Sequence, residues 1–347
     1  MMKRFFSITL LALVSVGVMF AALPDKLTTY TLDNGLTVYL WEDPQLPDVQ
    51  GWVATRVGAV DEPADYTGLA HYLEHMLFKG NQEIGALDWE KEKPLYEKII
   101  ALYDVLSETT DPAERLSLTK QINELSREAA QYTKTDDFSN MIEAIGGEGL
   151  NAFTSYDMTC YFNSFPNYEM EKWLTIYSDR LINPVFRSFQ AELENVFEEY
   201  NLYQDNISQH QQTFMFKNIY AENHPYARDV IGTPEHLKNP RLSKLIEFYN
   251  TWYVPNNMAL ILVGNFDKTT TQPLIEKTFG RLQKKELPQR PVWEDKSFAG
   301  NQRHKTNIGY SPEVIWVYKG VTVDSEDALP LQFVISLLNT GMRPGLL

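Results

Sequence analysis

Residues 71 to 75 read His, Tyr, Leu, Glu, His. On an α-helix of 3.6 residues per turn, positions 71 and 75 stack on one face and position 74 falls beside them, so two imidazoles and a carboxylate converge on one point. Such a cluster suits a single zinc ion. Neutral imidazole nitrogen is a good zinc ligand, and a carboxylate beside the ion can take the proton of a water that attacks a carbonyl. The competing explanation is a pair of surface histidines on an amphipathic helix. With six histidines and 46 acidic residues in 347, chance produces the pentad on the order of once in a hundred comparable chains. Its neighbours Leu69, Ala70, Leu73, Met76, Leu77 and Phe78 are apolar. Histidines in that setting lie against a core and need polar partners.

A third ligand must come from elsewhere in the chain. Cys160 is the sole cysteine, so no thiolate pair can build the site and no internal disulfide can form. His210, His224, His236 and His304 sit in polar, turn-like or linker-adjacent surroundings and read as ordinary surface residues. The acidic run from Glu192 to Glu199 is the best donor by composition. Glu192 and Glu199 are seven apart, which on a helix places them on one face about 10.5 Å apart along the axis. Spacing alone does not choose between them, and a charge run on a helix is usually a solvated face.

These groups need a scaffold. Thr29 to Leu32, Leu36 to Trp41 and Gly51 to Val57 read as strands, the first two joined by an Asp33, Asn34, Gly35 turn. A helix runs from about Gly68 to Lys79 and stops at Gly80. From Pro94 to Thr133 the apolar positions Leu95, Ile99, Leu102 and Leu106, then Leu118, Ile122, Leu125 and Ala129, mark a helical hairpin; it is expected to be a surface insertion, spanning about 88–134. A helix at Phe138 to Ile145 and one strand from Leu150 to Phe165 follow. Helices are then expected at Tyr168 to Leu181 and from Phe189 past Phe214, and a buried strand at Asn257 to Val263. Residues 284–300, with Pro288 and Pro291, read as a linker. Beyond it, Asn307 to Val323 restarts a strand pattern and Glu326 to Leu338 a helix. Strands grouped with helices predict an α+β fold with helices packed on a mainly antiparallel sheet.

Composition narrows the partners. The chain has 44% apolar and 22% charged residues, ordinary for a globular protein of about two domains. A net charge of -15 repels a phosphate backbone, so nucleic acid is excluded as a partner. Lys3 and Arg4 precede an apolar run from Phe5 to Leu23, which reads as an export signal over residues 1–22. The body of the protein is then periplasmic or extracellular. An uncleaved signal would anchor it to a membrane.

The His71 to His75 pentad has the inverted zincin order, and the chain resembles the pitrilysin and insulinase family of zinc metallopeptidases. LDNGLTVYL, GAVDEP before GLAHYLEHMLFKG, IEAIGGEGLNAFTSYDMTCY, HPYARDVIGTPEHL and FYNTWYVPNNMALILVGNFD carry the likeness, in family order, from about residue 28 to 268. The resemblance implies the fold type of LuxS and mitochondrial processing peptidase. It implies one zinc ion held by His71, His75 and Glu199, with Glu74 as general base. Glu192 becomes a supporting acid behind a ligand. Gly149 to Ser155 matches an edge strand that takes a substrate peptide by strand addition, with Asn151 and Ala152 where the backbones would pair.

The expected activity is therefore zinc-dependent endopeptidase hydrolysis of extended or unfolded peptides; the alternative is a non-catalytic binding or assembly subunit of the same fold. Two departures stand out. Between His75 and Glu199 lie 123 residues, more than the family's usual spacing, and the hairpin accounts for most of the excess. The family also closes its chamber with two halves, each of two similar domains. This chain holds one such domain at 28–268 and an incomplete start of a second at 301–347. It is expected to be a fragment that needs the missing C-terminal half or a partner subunit.

Overall fold

The computed structural model describes residues 26 to 338 except 294, 295, 298, 310 and 311. The expected signal at 1–22 lies outside the described residues. The chain divides into two units, one up to Thr306 and one from Asn307.

In the first unit a six-stranded sheet has the order β1-β2-β6-β3-β5-β4. Its strands are β1 (Leu27–Thr31), β2 (Thr37–Glu42), β3 (Val49–Thr55), β4 (Glu148–Thr154), β5 (Thr159–Phe165) and β6 (Met258–Gly264). β6 inserts between β2 and β3 and pairs parallel with β2, while every other pairing is antiparallel. Burial alternates along β3 and β6, so Val49, Val53, Leu260 and Leu262 enter the core while Gln50, Trp52 and Ile261 face away from it. Trp173 packs so tightly on the inner face that a Cβ on Gly51 would come within 2.3 Å of its ring.

The helices are α1 (Leu69–Met76), α2 (Trp89–Glu108), α3 (Pro112–Ala129), α4 (Asp137–Ala144), α5 (Met170–Asp179), α6 (Phe189–Gln204), α7 (Ile207–Ile219), α8 (Pro234–Leu237), α9 (Leu242–Trp252) and α10 (Lys268–Phe279). The α+β class stands, with some local differences from the expected elements. The expected strand from Leu150 to Phe165 is a hairpin, because Ser155 Oγ accepts the amides of Asp157 and Met158 and turns the chain without glycine or proline. The expected long helix from Phe189 breaks at Asn206, whose side chain accepts the amides of Ser208 and Gln209 and so starts α7.

The α2–α3 hairpin is also more than a surface addition. Leu95, Ile99, Tyr103 and Leu106 of α2 and Leu118 and Ile122 of α3 belong to the main core. Residues 284–293 have no regular structure, as a linker should, yet Arg290 Nε is 2.7 Å from Asp61 Oδ1 and ties that stretch to the first unit.

In the second unit, α11 (Ala328–Leu338) matches the expected helix. The expected strand at Asn307 to Val323 is not formed among the described residues, where Val314, Trp316, Tyr318 and Val323 are exposed. Alternating residues make a strand only when another strand satisfies their backbone.

Candidate metal centre

Helix α1 begins at Gly68, whose φ of 89° is the left-handed region. A Cβ there would meet the Ile231 carbonyl oxygen at 2.7 Å, so glycine is required on two counts. Glu62 then caps the helix from outside. Its carboxylate accepts the amides of Gly68 at 2.9 Å and Ala70 at 2.8 Å, which satisfies two otherwise unpaired donors. Leu69, Ala70, Leu73 and Met76 bury one face in the core. His71 and Glu74 are buried as well, at 9% and 8% exposure, so both depend on partners at the site.

The partner of Glu74 stands on β4 and that of His71 on α6. Phe189, Leu193 and Val196 sink into the core and present Glu192 and Glu199 towards α1. Glu199 Oε2 lies 3.5 Å from His71 Nε2 and 3.5 Å from His75 Nε2. The three donor atoms are all within 4.8 Å of one another. A tetrahedral ion with bonds of about 2.0–2.1 Å keeps neighbouring donors roughly 3.3 Å apart, so this nitrogen, nitrogen, oxygen set fits zinc in both spacing and chemistry. It is the sole such cluster among the described residues.

The remaining groups are arranged around that point. His75 Nδ1 is 2.8 Å from Glu192 Oε1, and Lys79 Nζ is 2.6 Å from Glu192 Oε2. A carboxylate behind a histidine fixes the ring and its tautomer. Glu74 accepts a hydrogen bond from Thr154 Oγ1 at 2.6 Å. β4, which carries Asn151 and Ala152, is an edge strand, paired through Asn151 with Phe162 and through Ala152 with Tyr161 of β5. Its other side borders a cavity of about 450 Å³ lined also by His71, Glu74, His75, Phe78, Glu199 and Tyr203.

Electrostatics separate the two histidines. Burial, reinforced by neighbouring His75, pushes His71 down to about 4, so its imidazole is neutral at physiological pH. Burial opposes charge on His75 too, but its bonds to Glu192 and Glu199 outweigh burial and carry it up to about 9. The Glu199 carboxyl is held below its ordinary value first by the hydrogen bond from His75. Burial resists ionisation of Glu192, yet His75 and Lys79 bring it to about 2. Glu74 goes the other way: burial raises it, and the Thr154 hydroxyl offsets part of the rise. A carboxyl raised in this manner is suited to taking and returning a proton.

Thr154 and Lys79 were not singled out from the sequence. Both sit inside recognisable segments, but their contacts join positions far apart in the chain. His236 also does more than expected, since its Nδ1 accepts the Thr67 amide at 3.0 Å just ahead of α1.

Comparison with known proteins decides the family. The model of the insulinase family, peptidase family M16, matches residues 37–92 and 123–234, and that of the M16 inactive domain matches 241–346. The chain belongs to the insulinase family, M16. Over 288 residues it is 26% identical to the probable zinc protease PqqL of Escherichia coli (strain K12), covering 80% of this chain and 26% of PqqL. It is 27% identical over 252 residues to an uncharacterized zinc protease of Mycobacterium leprae, covering 72% of this chain and 45% of that protein. The crystal structure of the periplasmic protease PqqL from E. coli matches at a TM-score of 0.59 and 25% identity, over 80% of this chain and 26% of that one. This M16 chain therefore spans less than half of each of these relatives. Among its described residues no helix is long and apolar enough to cross a membrane. The insulinase model passes over residues 93–122, most of the α2–α3 hairpin.

Proposed function

We propose that the chain is the metal-bearing part of a zinc endopeptidase that cleaves extended or unfolded peptides. The observation that carries this reading is the placement of Glu199 Oε2 at 3.5 Å from both His71 Nε2 and His75 Nε2, with Glu74 beside them. One zinc ion, held by His71, His75 and Glu199, supplies a Lewis acid that lowers the pKa of a water and polarises the scissile carbonyl. Glu74 takes the proton from the attacking water and returns it to the leaving amine. Thr154 orients the Glu74 carboxylate. Glu192, clamped by Lys79, holds His75 by its Nδ1.

Substrate enters as a strand along the free side of β4, backbone against backbone at Asn151 and Ala152. That geometry selects extended chains over folded ones. The rest of the chamber comes from a further half or partner subunit, a reading supported by the short span of this chain against PqqL. Export is supported by Lys3, Arg4 and the apolar run after them, and by the periplasmic setting of the E. coli relative.

The test has two parts. The purified chain should retain one zinc ion after dialysis, and His71→Ala or Glu199→Ala should lose it. In the full-length enzyme, Glu74→Gln should keep the ion and abolish cleavage of an unfolded peptide. Unchanged turnover in that variant would remove Glu74 from the reaction.

A further inference from the structure

The hairpin that the insulinase model passes over reaches the metal-bearing helices. Its first helix, α2, grips the start of α6 at three levels. Tyr96 Oη accepts the Phe186 amide at 3.3 Å. Glu92 binds Arg187 through both oxygens, at 2.6 and 3.0 Å. Tyr103 lays its ring 4.8 Å from that of Phe189 and donates to Gln190 Oε1 at 3.1 Å. The centre of this contact is dry, with Glu92 and Tyr103 each 1% exposed, Phe189 4% and Arg187 7%, while Tyr96 and Gln190 at its margin are half-buried.

Helix α1 meets the same few residues from the other side. Tyr72 Oη donates to the Phe189 carbonyl at 2.5 Å, and the two rings lie 4.9 Å apart. Phe189 is thus held between α1 and the hairpin. Arg187 also donates to the carbonyls of Lys79, Asn81 and Ile84, in the loop that leaves α1. Between Arg187 and Phe189 sits Ser188 with φ of 53°, a left-handed conformation that a non-glycine residue keeps only when its surroundings impose it. Phe189 at the head of α6 is therefore held jointly by α1 and α2, and Arg187 just before it by α2 and the loop that follows α1.

A ligand set split between two helices binds tightly only if the helices are already at the right separation, since otherwise ordering them consumes part of the binding free energy. We propose that the hairpin is a brace, in which Tyr103 and Glu92 are positioning residues that hold α6 where Glu199 joins His71 and His75. The proposal rests on the zinc reading of those three residues. Neither Tyr103 nor Glu92 touches the cavity.

The experiment compares the 347-residue chain with Tyr103→Ala, Tyr103→Phe and, as a control on the exposed side of the hairpin, Leu116→Ala. Two quantities are read: backbone hydrogen exchange in the metal-free protein, and zinc affinity from competition with a chelating dye. In Tyr103→Ala the amides from Leu193 to Glu199 should exchange at least about tenfold faster while those of β6 keep their rates. Its zinc Kd should rise at least about tenfold. Tyr103→Phe keeps the ring against Phe189 and should stay near wild type in both, as should Leu116→Ala. If either quantity is unchanged in a folded Tyr103→Ala chain, the brace is overturned. Should that variant lack the wild-type circular dichroism spectrum, Tyr103→Leu and Glu92→Gln are judged by the same two criteria. A wild-type chain that binds no zinc sinks the metal reading instead, and α6 exchange alone then decides the brace.

Discussion

Thr154 Oγ1 donates to Glu74 Oε2 at 2.6 Å, joining the edge strand to helix α1 across 80 positions of sequence. The hydroxyl holds one carboxylate oxygen of Glu74, a residue that lines the cavity. Because Thr154 ends the strand proposed to receive substrate, the same residue would set the proposed base relative to the peptide backbone.

Replacing Thr154 with valine keeps the shape and removes the hydroxyl. A hydrogen bond to a charged group is worth about 1.5–3 kcal/mol, so in the proposed peptidase Thr154→Val should lower kcat/KM by roughly tenfold or more. Zinc content should not change. Steady-state kinetics on an unfolded peptide, with metal analysis in parallel, check this. Loss of zinc along with activity would mean that Thr154 supports the ligands rather than the base.

Glu192 carries the next expectation. It joins His75 to Lys79, with contacts of 2.8 and 2.6 Å. Glu192→Gln retains an acceptor but gives up the negative charge that fixes the ring, so zinc Kd should rise by about 10- to 100-fold. Dye competition at constant pH measures it. An unaltered Kd would make Glu192 a simple partner of Lys79.

Much of this centre is legible in the sequence alone. The 3.6-residue period places His71, Glu74 and His75 together on one turn, and the spacing of Glu192 and Glu199 places both on one side of α6. Local chemistry of that kind is written in neighbouring positions. What escaped depends on contacts between distant ones. β6 pairs parallel with β2 and antiparallel with β3, and a continuous apolar run says nothing of its neighbours. Asn206 interrupts a helical pattern that continues on both sides, because capping outweighs periodicity there. In α2 the leucine spacing pointed to Leu102, whereas the fully buried residue is Tyr103, chosen by its fit against Phe189.

The pH dependence of the metal-free chain follows from the same contacts. His75 is raised to about 9 in the folded state, against about 6.5 when unfolded. Its stabilising charge is therefore fully present below about pH 6.5 and is lost as pH rises through 9. Glu192 is depressed to about 2, so its contribution is present above about 4.5 and lost as pH falls through 2. Between about pH 6.5 and 9 His75 should take an amount on the order of 3 kcal/mol out of the unfolding free energy of chelator-treated protein, measured by urea denaturation, whereas below pH 6.5 His71, held at about 4, works in the opposite direction. Zinc should reverse the alkaline loss, because binding displaces the proton from His75. A metal-free unfolding free energy that is flat from pH 6 to 9 would show that His75 gains nothing from Glu192 and Glu199.

The buried pair Glu92 and Arg187 gives the largest expected change in stability. Their contact at 2.6 Å is almost fully enclosed, with side chains 2% and 6% exposed. Glu92→Ala leaves Arg187 charged in a dry site, and breaking a buried pair from one side costs about 3–5 kcal/mol. Arg187 keeps its bonds to the carbonyls of Lys79, Asn81 and Ile84, which places the cost nearer the lower figure. The double variant Glu92→Ala with Arg187→Met removes the stranded charge, so its loss should be smaller than the sum of the two single losses. Urea denaturation of the four proteins closes the cycle. Strict additivity would mean that the two side chains hold the hairpin to α6 independently.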